Sequence, residues 1–248
     1  MSVISRELGQ ETFPELAGSR VVITGLTPAL GVDIARGFAE RKARLSLQAP
    51  DVAPETTELV ALLSQSAAEV SFVNGPLATS REQVQFAQRA AESLGGIDVA
   101  VNLILVSSSE TRGVETEAEI EELVARKLGP ALRITQVIAN RMRVTWSEGT
   151  ILNAVIMPAP ASARELAIAG YMRAALAAMT KGEAAAWGGD AIRINAVGPK
   201  ATPFDDASGA CLTSEPDLAA LALTLASHKG RKLTGYVFDA EGIARRGC

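Results

Sequence analysis

The chain has 248 residues, of which 48% are hydrophobic and 21% are charged, so it is long enough for one large domain and too apolar to be disordered. Its 24 basic and 28 acidic residues leave a formal net charge of −4, and only 4% of its residues are aromatic; nucleic-acid binding is therefore not expected, because it needs a basic field and stacking surfaces. No apolar run approaches the roughly 20 residues that span a bilayer, and residues 1–17 do not form a secretory signal, so the composition predicts a cytoplasmic protein with no membrane segment.

Strand and helix patterns alternate along the first half of the chain. Residues 20–25 are a β-branched run that ends in glycine, and a helical pattern follows Pro28 as far as Ala39. The further strands predicted here cover 43–47, 70–73 and 97–102, and the helices between them begin at Pro54 and at Ser80, which has capping-box spacing to Gln83. This alternation is typical of a parallel sheet whose connections are helices.

The second half continues the alternation with longer helices. Thr116 and Glu119 have capping-box spacing at the start of a helix that runs to about Met142 and contains Pro130 as a kink site. The remaining predicted elements are strands over 150–156, 192–197 and 236–238, a loop over 198–214, and helices over 162–187 and 218–227. The pattern predicts one doubly wound α/β domain over residues 18–248, a Rossmann-like parallel sheet of about seven strands with helices on both faces, preceded by an extension over residues 1–17.

The residue types that build metal sites and disulfide frameworks are scarce. The two cysteines are Cys211 and Cys248, and the single histidine is His228. Neither cysteine has the other cysteine or the histidine at the sequence spacing that metal ligands require. We therefore expect two free thiols and no metal site.

Five segments carry a resemblance to a known family across nearly the whole chain. They are TGLTPALG at 24–31, IDVAVN at 97–102, LGP at 128–130, IRINAVGP at 192–199 and LTG at 233–235 followed by Asp239. In this order and spacing they resemble the short-chain dehydrogenase/reductase family. The resemblance implies the doubly wound fold and, in active members, NAD(P)-dependent interconversion of carbonyls and alcohols.

The catalytic groups that the resemblance implies are a tyrosine, a lysine four residues later, a serine and an asparagine. Tyr171 matches the tyrosine, but Ala175 stands at the lysine position, Ile156 at the serine position and Arg126 at the asparagine position. An unassisted phenol has a pKa near 10, so holding it as phenolate at pH 7 costs about 4 kcal/mol, which a neighbouring ammonium would normally offset. We therefore expect Tyr171 to be a vestige and the chain to have no catalytic residues.

The cofactor-binding turn that the resemblance implies is also altered. Gly25 and Gly31 are kept, but the middle glycine is Ala29, whose Cβ would crowd the approach of backbone amides to a pyrophosphate. Leu103 and Leu105 place bulky side chains where small residues line the cofactor cleft in the family. We therefore expect these side chains to fill the groove and the chain to bind no NAD.

The pattern of loss and retention points to an inactive subunit. The helix over 162–187 keeps small residues suited to close packing, namely Ala174, Ala175, Ala177, Ala178, Ala184, Ala185 and Ala186. The family includes hetero-oligomers in which one subunit type is inactive, and the resemblance extends to those that oxidise 3-hydroxyacyl-CoA thioesters, as in anaerobic toluene degradation. The partner would then be a homologous, catalytically complete subunit that binds NAD, in a heterotetramer.

Two other functions remain open from the sequence. One is a divergent NAD(P)-dependent oxidoreductase in which Tyr171 works with Arg126 or a water in place of the lost serine and lysine. The other is a ligand-sensing regulator, which would bind a small molecule without turnover and without a partner subunit. The fold alone does not separate these functions.

Overall fold

A parallel sheet with helices on both faces organises residues 13–51, 53–201 and 211–244, which are the residues that the computed structural model of the protein describes. Its helices, α1 to α7 in chain order, are Val32–Glu40, Pro54–Ser66, Ser80–Leu94, Ser108–Arg112, Glu117–Val144, Ala163–Trp187 and Glu215–Ala226. Its strands, β1 to β8, are Arg20–Thr24, Arg44–Ala49, Glu69–Asn74, Val99–Leu105, Thr150–Ile156, Arg193–Pro199, Cys211–Leu212 and Val237–Ala240. The predicted fold class is confirmed.

The strand order is β3-β2-β1-β4-β5-β6-β8-β7, and every pairing in the described residues is parallel. The order reverses between β1 and β4. The chain first adds β2 and β3 on one side of β1, and it then crosses over to add β4 and the later strands on the other side. In open α/β sheets this switch point leaves a crevice beyond the carboxyl ends of the strands. The sequence predicted about seven strands; the additional one is β7, which has two residues and no recognisable strand pattern.

The middle of the sheet is buried on both faces. All seven residues of β5 are buried, and β1 and β4 are apolar with buried β-branched residues. One face packs against α1 and α7 through residues such as Phe38 and Leu218, and the other packs against α3 and α5 through residues such as Phe86 and Ile138. A strand buried on both faces reads as a continuous apolar run, which explains why these strands were recognisable in the sequence.

Most helix starts follow the predicted capping pattern. Thr116 and Glu119 form the expected capping box of α5, and the Ser162 hydroxyl accepts from the amide of Glu165 at the start of α6. The capping box of α3 is instead formed one residue earlier, by Thr79 and Glu82. Gln83, the predicted partner, is buried and donates to the carbonyl of Leu77, three residues before the helix begins. Its side chain therefore takes no part in the capping box.

The last described residues of the N-terminal extension belong to the core. Phe13 and Leu16 are both buried and pack in the same apolar cluster as β1 and α1. Within the described residues, none of the helices combines the length and apolarity that crossing a membrane requires.

A buried hydrogen-bond network ties together the three strands at the switch point. The hydroxyl of Thr24 donates to Asn102 at 3.0 Å, and the Asn102 amide donates to the side-chain oxygen of Asn153 at 2.8 Å. The hydroxyl of Thr135, on α5, donates to the same Asn153 oxygen at 3.0 Å. Thr24, Asn102 and Asn153 are in register across β1, β4 and β5, so the network fixes these three strands relative to one another.

We expect Asn102→Ala to lower the free energy of unfolding by about 1–3 kcal/mol, because the buried oxygens of Thr24 and Asn153 would lose partners. Chemical denaturation followed by circular dichroism measures this. Ser64→Ala is the control, since its hydroxyl is exposed on α2, and it should change stability by less than about 0.5 kcal/mol. Equal effects of the two substitutions would contradict a role of the network in stability.

Candidate functional site

The turn between β1 and α1 lies directly against the end of β4. Gly25 and Gly31 both have positive φ, at +75° and +93°, a region that favours glycine. A Cβ on Gly25 would collide with the backbone carbonyl of Leu103. Glycine at this position therefore allows β4 to approach the turn closely.

The Leu103 side chain extends over the same turn. It is 6% exposed, and a Cβ placed on Gly31 would collide with its Cδ1. In dinucleotide-binding folds the pyrophosphate approaches the helix that follows this turn. The space beside Gly31 is here occupied by an aliphatic side chain.

The amino-terminal end of α1 carries a carboxylate from a distant part of the chain. Gly31, the N-cap residue, has no side chain to cap the helix, and the amide of Asp33 donates to Oε1 of Glu215 at 2.9 Å. Burial and the nearby Asp33 carboxylate raise the pKa of Glu215, and hydrogen bonds from the backbone amides of α1 act against that rise. The Glu215 carboxyl group therefore occupies helix amides of the kind that bind phosphate in dinucleotide sites. With these groups in place, the turn does not fit a pyrophosphate.

The amide of Gly25 is bonded internally as well. It donates to Oε1 of Gln48 at 2.8 Å, while Nε2 of Gln48 donates to the carbonyl of Gly75 at 2.7 Å. Gln48 is buried, and its side chain thereby connects the first turn to the end of β3. Two of the backbone amides at this turn, those of Gly25 and Asp33, are thus bonded to side chains of the protein.

Two cavities remain along the crevice. The larger, of about 640 Å³, lies between the ends of β1, β2 and β4 and the side of α5. The smaller, of about 530 Å³, lies between the first turn, the end of β5 and the start of α7. Leu105 borders both cavities. The residues that line the smaller one are Ala29, Leu30, Leu105, Ile156, Thr213, Ser214, Glu215, Pro216, Gly242, Ile243 and Ala244.

A lysine and a glutamate that form an ion pair line the larger cavity. Lys127 donates to the carbonyl of Leu105 at 2.6 Å and forms a 2.7 Å ion pair with Glu110. Burial alone would raise the pKa of Glu110, but its bonds with Lys127 and with the amide of Ser107 hold it below its ordinary value. Glu110 is therefore ionised near neutral pH, and the pair joins α5 to the end of β4. Arg126 lines the same cavity.

Tyr171 does not face the crevice. It lines neither cavity, is 39% exposed, and its hydroxyl donates to the carboxylate of Glu117 at the start of α5. The hydrogen bond to Glu117 raises the pKa of Tyr171 above its ordinary value. A raised pKa keeps the phenol protonated, which is the opposite of what a catalytic phenolate needs.

A different pair of residues on α6 reaches the carboxyl edge of the sheet. Ala169 is buried in one cluster with Val155 and Met157 at the end of β5, and Arg173, four residues later, forms a 2.7 Å ion pair with Asp239 on β8. Residues four apart share a helix face. At the sheet edge this face of α6 presents a methyl group and a guanidinium that is already paired.

Comparison with known proteins identifies the fold and the family. Residues 25–216 match the family profile described as enoyl-(acyl carrier protein) reductase, a profile of the short-chain dehydrogenase type. The chain belongs to the short-chain dehydrogenase/reductase family. By family it is therefore related to oxidoreductases. The chain is 26% identical over 238 residues to an uncharacterized oxidoreductase of Mycobacterium tuberculosis, covering 89% of this chain and 90% of the relative.

Three further proteins that are similar to this chain have more specific descriptions. The chain is 26% identical over 196 residues to a probable galactose dehydrogenase of Rhizobium meliloti, covering 77% of this chain and 75% of the relative. Among solved structures, a short-chain type dehydrogenase/reductase from Mycobacterium marinum is similar with a TM-score of 0.72 at 19% identity, and 98% of each chain is covered. An NADH-dependent reductase complexed with NAD is similar with a TM-score of 0.73 at 20% identity, covering 93% of this chain and 98% of that one. Likeness at these identities supports the fold.

The structure shows where the two α6 positions assigned from the family resemblance lie. The resemblance assigns the family's tyrosine to Tyr171 and its lysine to Ala175. The structure directs Tyr171 to Glu117 and leaves Ala175 half-buried, whereas Ala169 and Arg173 reach the sheet edge. In this alanine-rich helix, few large residues mark the face that packs on the sheet.

The other predicted positions lie at the crevice. Ile156 borders the smaller cavity together with Ala29, and Arg126 borders the larger one with Gly25. No cluster of three or more potential metal ligands occurs within residues 13–51, 53–201 and 211–244. Cys248 lies outside the described residues.

Several residues at the site were not found from the sequence. Glu215 is 182 positions from its partner Asp33, and Gln48 and Arg173 also bond to distant residues. No local pattern connects such pairs. The only available signal was that TGLTPALG lacks a side chain able to cap α1, so that another group must satisfy its first amides.

We expect Tyr171→Phe to lower the free energy of unfolding by less than about 1 kcal/mol, because the lost hydrogen bond is exposed. It should leave unchanged any dehydrogenase activity that the chain supports, alone or with co-expressed partners. Tyr236→Phe, at the other exposed tyrosine, is the control for both stability and steady-state rates. A tenfold loss of activity confined to Tyr171→Phe would return this tyrosine to a catalytic role.

Proposed function

We propose that this chain is a catalytically inactive member of its family that assembles with a homologous, active NAD-dependent dehydrogenase subunit and supports it. The observation that carries the proposal is the occupied turn: the Leu103 side chain packs on Gly31, and the Glu215 carboxylate binds the first amides of α1. A bound pyrophosphate would have to displace both. We infer that the chain binds no NAD and that the cofactor is held by the partner.

The residues at the carboxyl edge of the sheet support the same proposal. The α6 residues that reach it are Ala169 and Arg173, and Ile156 at the end of β5 has no hydroxyl. Proton transfer to or from a reacting oxygen needs a titratable group within hydrogen-bond reach. The alternative of a divergent oxidoreductase relies on Tyr171, whose hydroxyl is bonded to Glu117 instead.

The partner is inferred from the surface that α6 leaves open. Ala174, Ala178, Ala185 and Ala186 are exposed along this helix, so a second helix could approach closely. Exposed alanines on a helix favour subunit packing over contact with water, because the alanine side chain has no polar group that could bond to water. We propose that the assembly is a heterotetramer of this chain with the active subunit and that it works in the cytoplasm.

The substrate class is proposed from the resemblance of the whole chain. We propose that it resembles the non-catalytic subunit of 2-[hydroxy(phenyl)methyl]succinyl-CoA dehydrogenase of anaerobic toluene degradation. In such a complex a 3-hydroxyacyl-CoA would be oxidised to the 3-oxoacyl-CoA in the active subunit, with the hydride passed to NAD and a proton released. The present chain would stabilise, shape or regulate that subunit.

The first test is isothermal titration of the purified chain with NAD and NADP, beside native mass measurement after expression alone and with its genomic neighbours. We expect no heat of binding by the chain alone and recruitment of a second chain of the same family. Binding of NAD or NADP at micromolar concentration by the chain alone would contradict the proposal. Formation of a stable homo-oligomer that ignores the neighbours would contradict the partner assignment.

A substitution on α6 tests the assembly surface directly. We expect Ala174→Arg to weaken association with the partner at least tenfold, because the long charged side chain prevents close helix packing. The fold should be retained, with less than about 0.5 kcal/mol change in stability, since Ala174 is exposed in the single chain. Ala61→Arg, at an exposed alanine of α2, is the matched control. Equal association of both variants in native mass measurement would exclude this face of α6.

A further inference from the structure

The first turn of α1 depends on a residue outside its own sequence. Every α-helix begins with amides that have no partner within the helix. Gly31 cannot supply one through a side chain, and no side-chain cap from the turn itself is present. The Glu215 carboxylate fills this role through the Asp33 amide at 2.9 Å, and the amides of Gly31 and Val32 also stabilise its charge.

Glu215 is not needed by the helix to which it belongs. The amino-terminal end of α7 is capped by Ser214, whose hydroxyl accepts from the Asp217 amide at 3.3 Å. The Asp217 carboxylate accepts in turn from Ser214 at 2.8 Å and from Thr213 at 3.2 Å. With α7 capped by its own residues, the Glu215 side chain crosses to α1.

The two helices hold this carboxylate in place by close packing. A Cβ on Gly37 of α1 would lie 3.0 Å from Cδ1 of Leu223 on α7, so the absence of a side chain at Gly37 lets the helices approach. Leu223 and Ala35 are both buried in the cluster between them. Glu215 is therefore fixed relative to α1 by a packed interface.

We infer that Glu215 is an internal anion that takes the place of a ligand phosphate at the amino-terminal end of α1 and keeps this turn closed to phosphate-containing ligands. The position is one where a helix end and backbone amides favour a negative charge. An intramolecular carboxylate is held at the site at a high effective concentration, so a ligand anion must compete with it to bind. This inference about Glu215 rests on the proposed function in one respect, namely the proposal that the chain binds no dinucleotide.

The test is rescue of a Glu215 variant by an external anion. Glu215→Ala should lower the thermal midpoint by about 2–4 °C, because the α1 amides lose their cap. Inorganic pyrophosphate should restore at least half of that loss, compared with sodium chloride at matched ionic strength. The wild-type chain should show no such response. By isothermal titration the variant should bind pyrophosphate at least tenfold more tightly than the wild type.

Two further variants complete the test. Glu215→Gln keeps the shape and an accepting oxygen while removing the charge, so it should fold even if Glu215→Ala does not, and it should gain a smaller pyrophosphate response. Glu55→Ala removes an exposed acidic residue from the first turn of α2 and should gain none. The inference is overturned if pyrophosphate and chloride act equally on both Glu215 variants, or if the wild type responds as strongly. NAD binding by the wild type would instead contradict the proposed function, whatever the pyrophosphate result.

Discussion

The contact between Leu103 and the turn after β1 is the constraint on which the rest of the site depends. A doubly wound sheet opens its crevice where β1 and β4 are neighbours and the strand order reverses. Gly25 and Gly31, which both have positive φ, belong to the turn that borders this crevice. The backbone carbonyl of Leu103 lies against Gly25, and the Leu103 side chain lies against Gly31. Because the network of Asn102 and Asn153 fixes β4 next to β5, Leu103 cannot move away from the turn without disturbing buried hydrogen bonds.

Three charged side chains around the crevice have partners within the chain, and this gives the site its chemical character. Glu215 binds the amides of α1, Lys127 pairs with Glu110, and Arg173 pairs with Asp239. To bind here, a ligand must gain more free energy than is lost by breaking these internal interactions and by its own desolvation. Such internal pairing satisfies these charged groups within the chain itself.

The sequence predicted the fold well because its signals are local. The buried strands at the centre of the sheet are continuous apolar runs, and the capping residues Thr116 and Ser162 stand next to the helices that they begin. The orientation of Tyr171 could not be predicted from local signals. An alanine-rich helix carries little periodic contrast, so the face that meets the sheet was decided by the packing of Ile168, Met172 and Leu176, which only the folded chain displays.

The sequence by itself determined the parallel α/β architecture, the resemblance to a dehydrogenase family and the presence of aliphatic residues at the end of β4, because each of these is a property of neighbouring residues. Only the tertiary structure decided that Leu103 packs on Gly31, that Tyr171 bonds to Glu117 and that Glu215 reaches α1. These contacts join residues up to 182 positions apart. Long-range contacts of this kind are set by how helices and strands pack, and local sequence patterns do not encode that geometry.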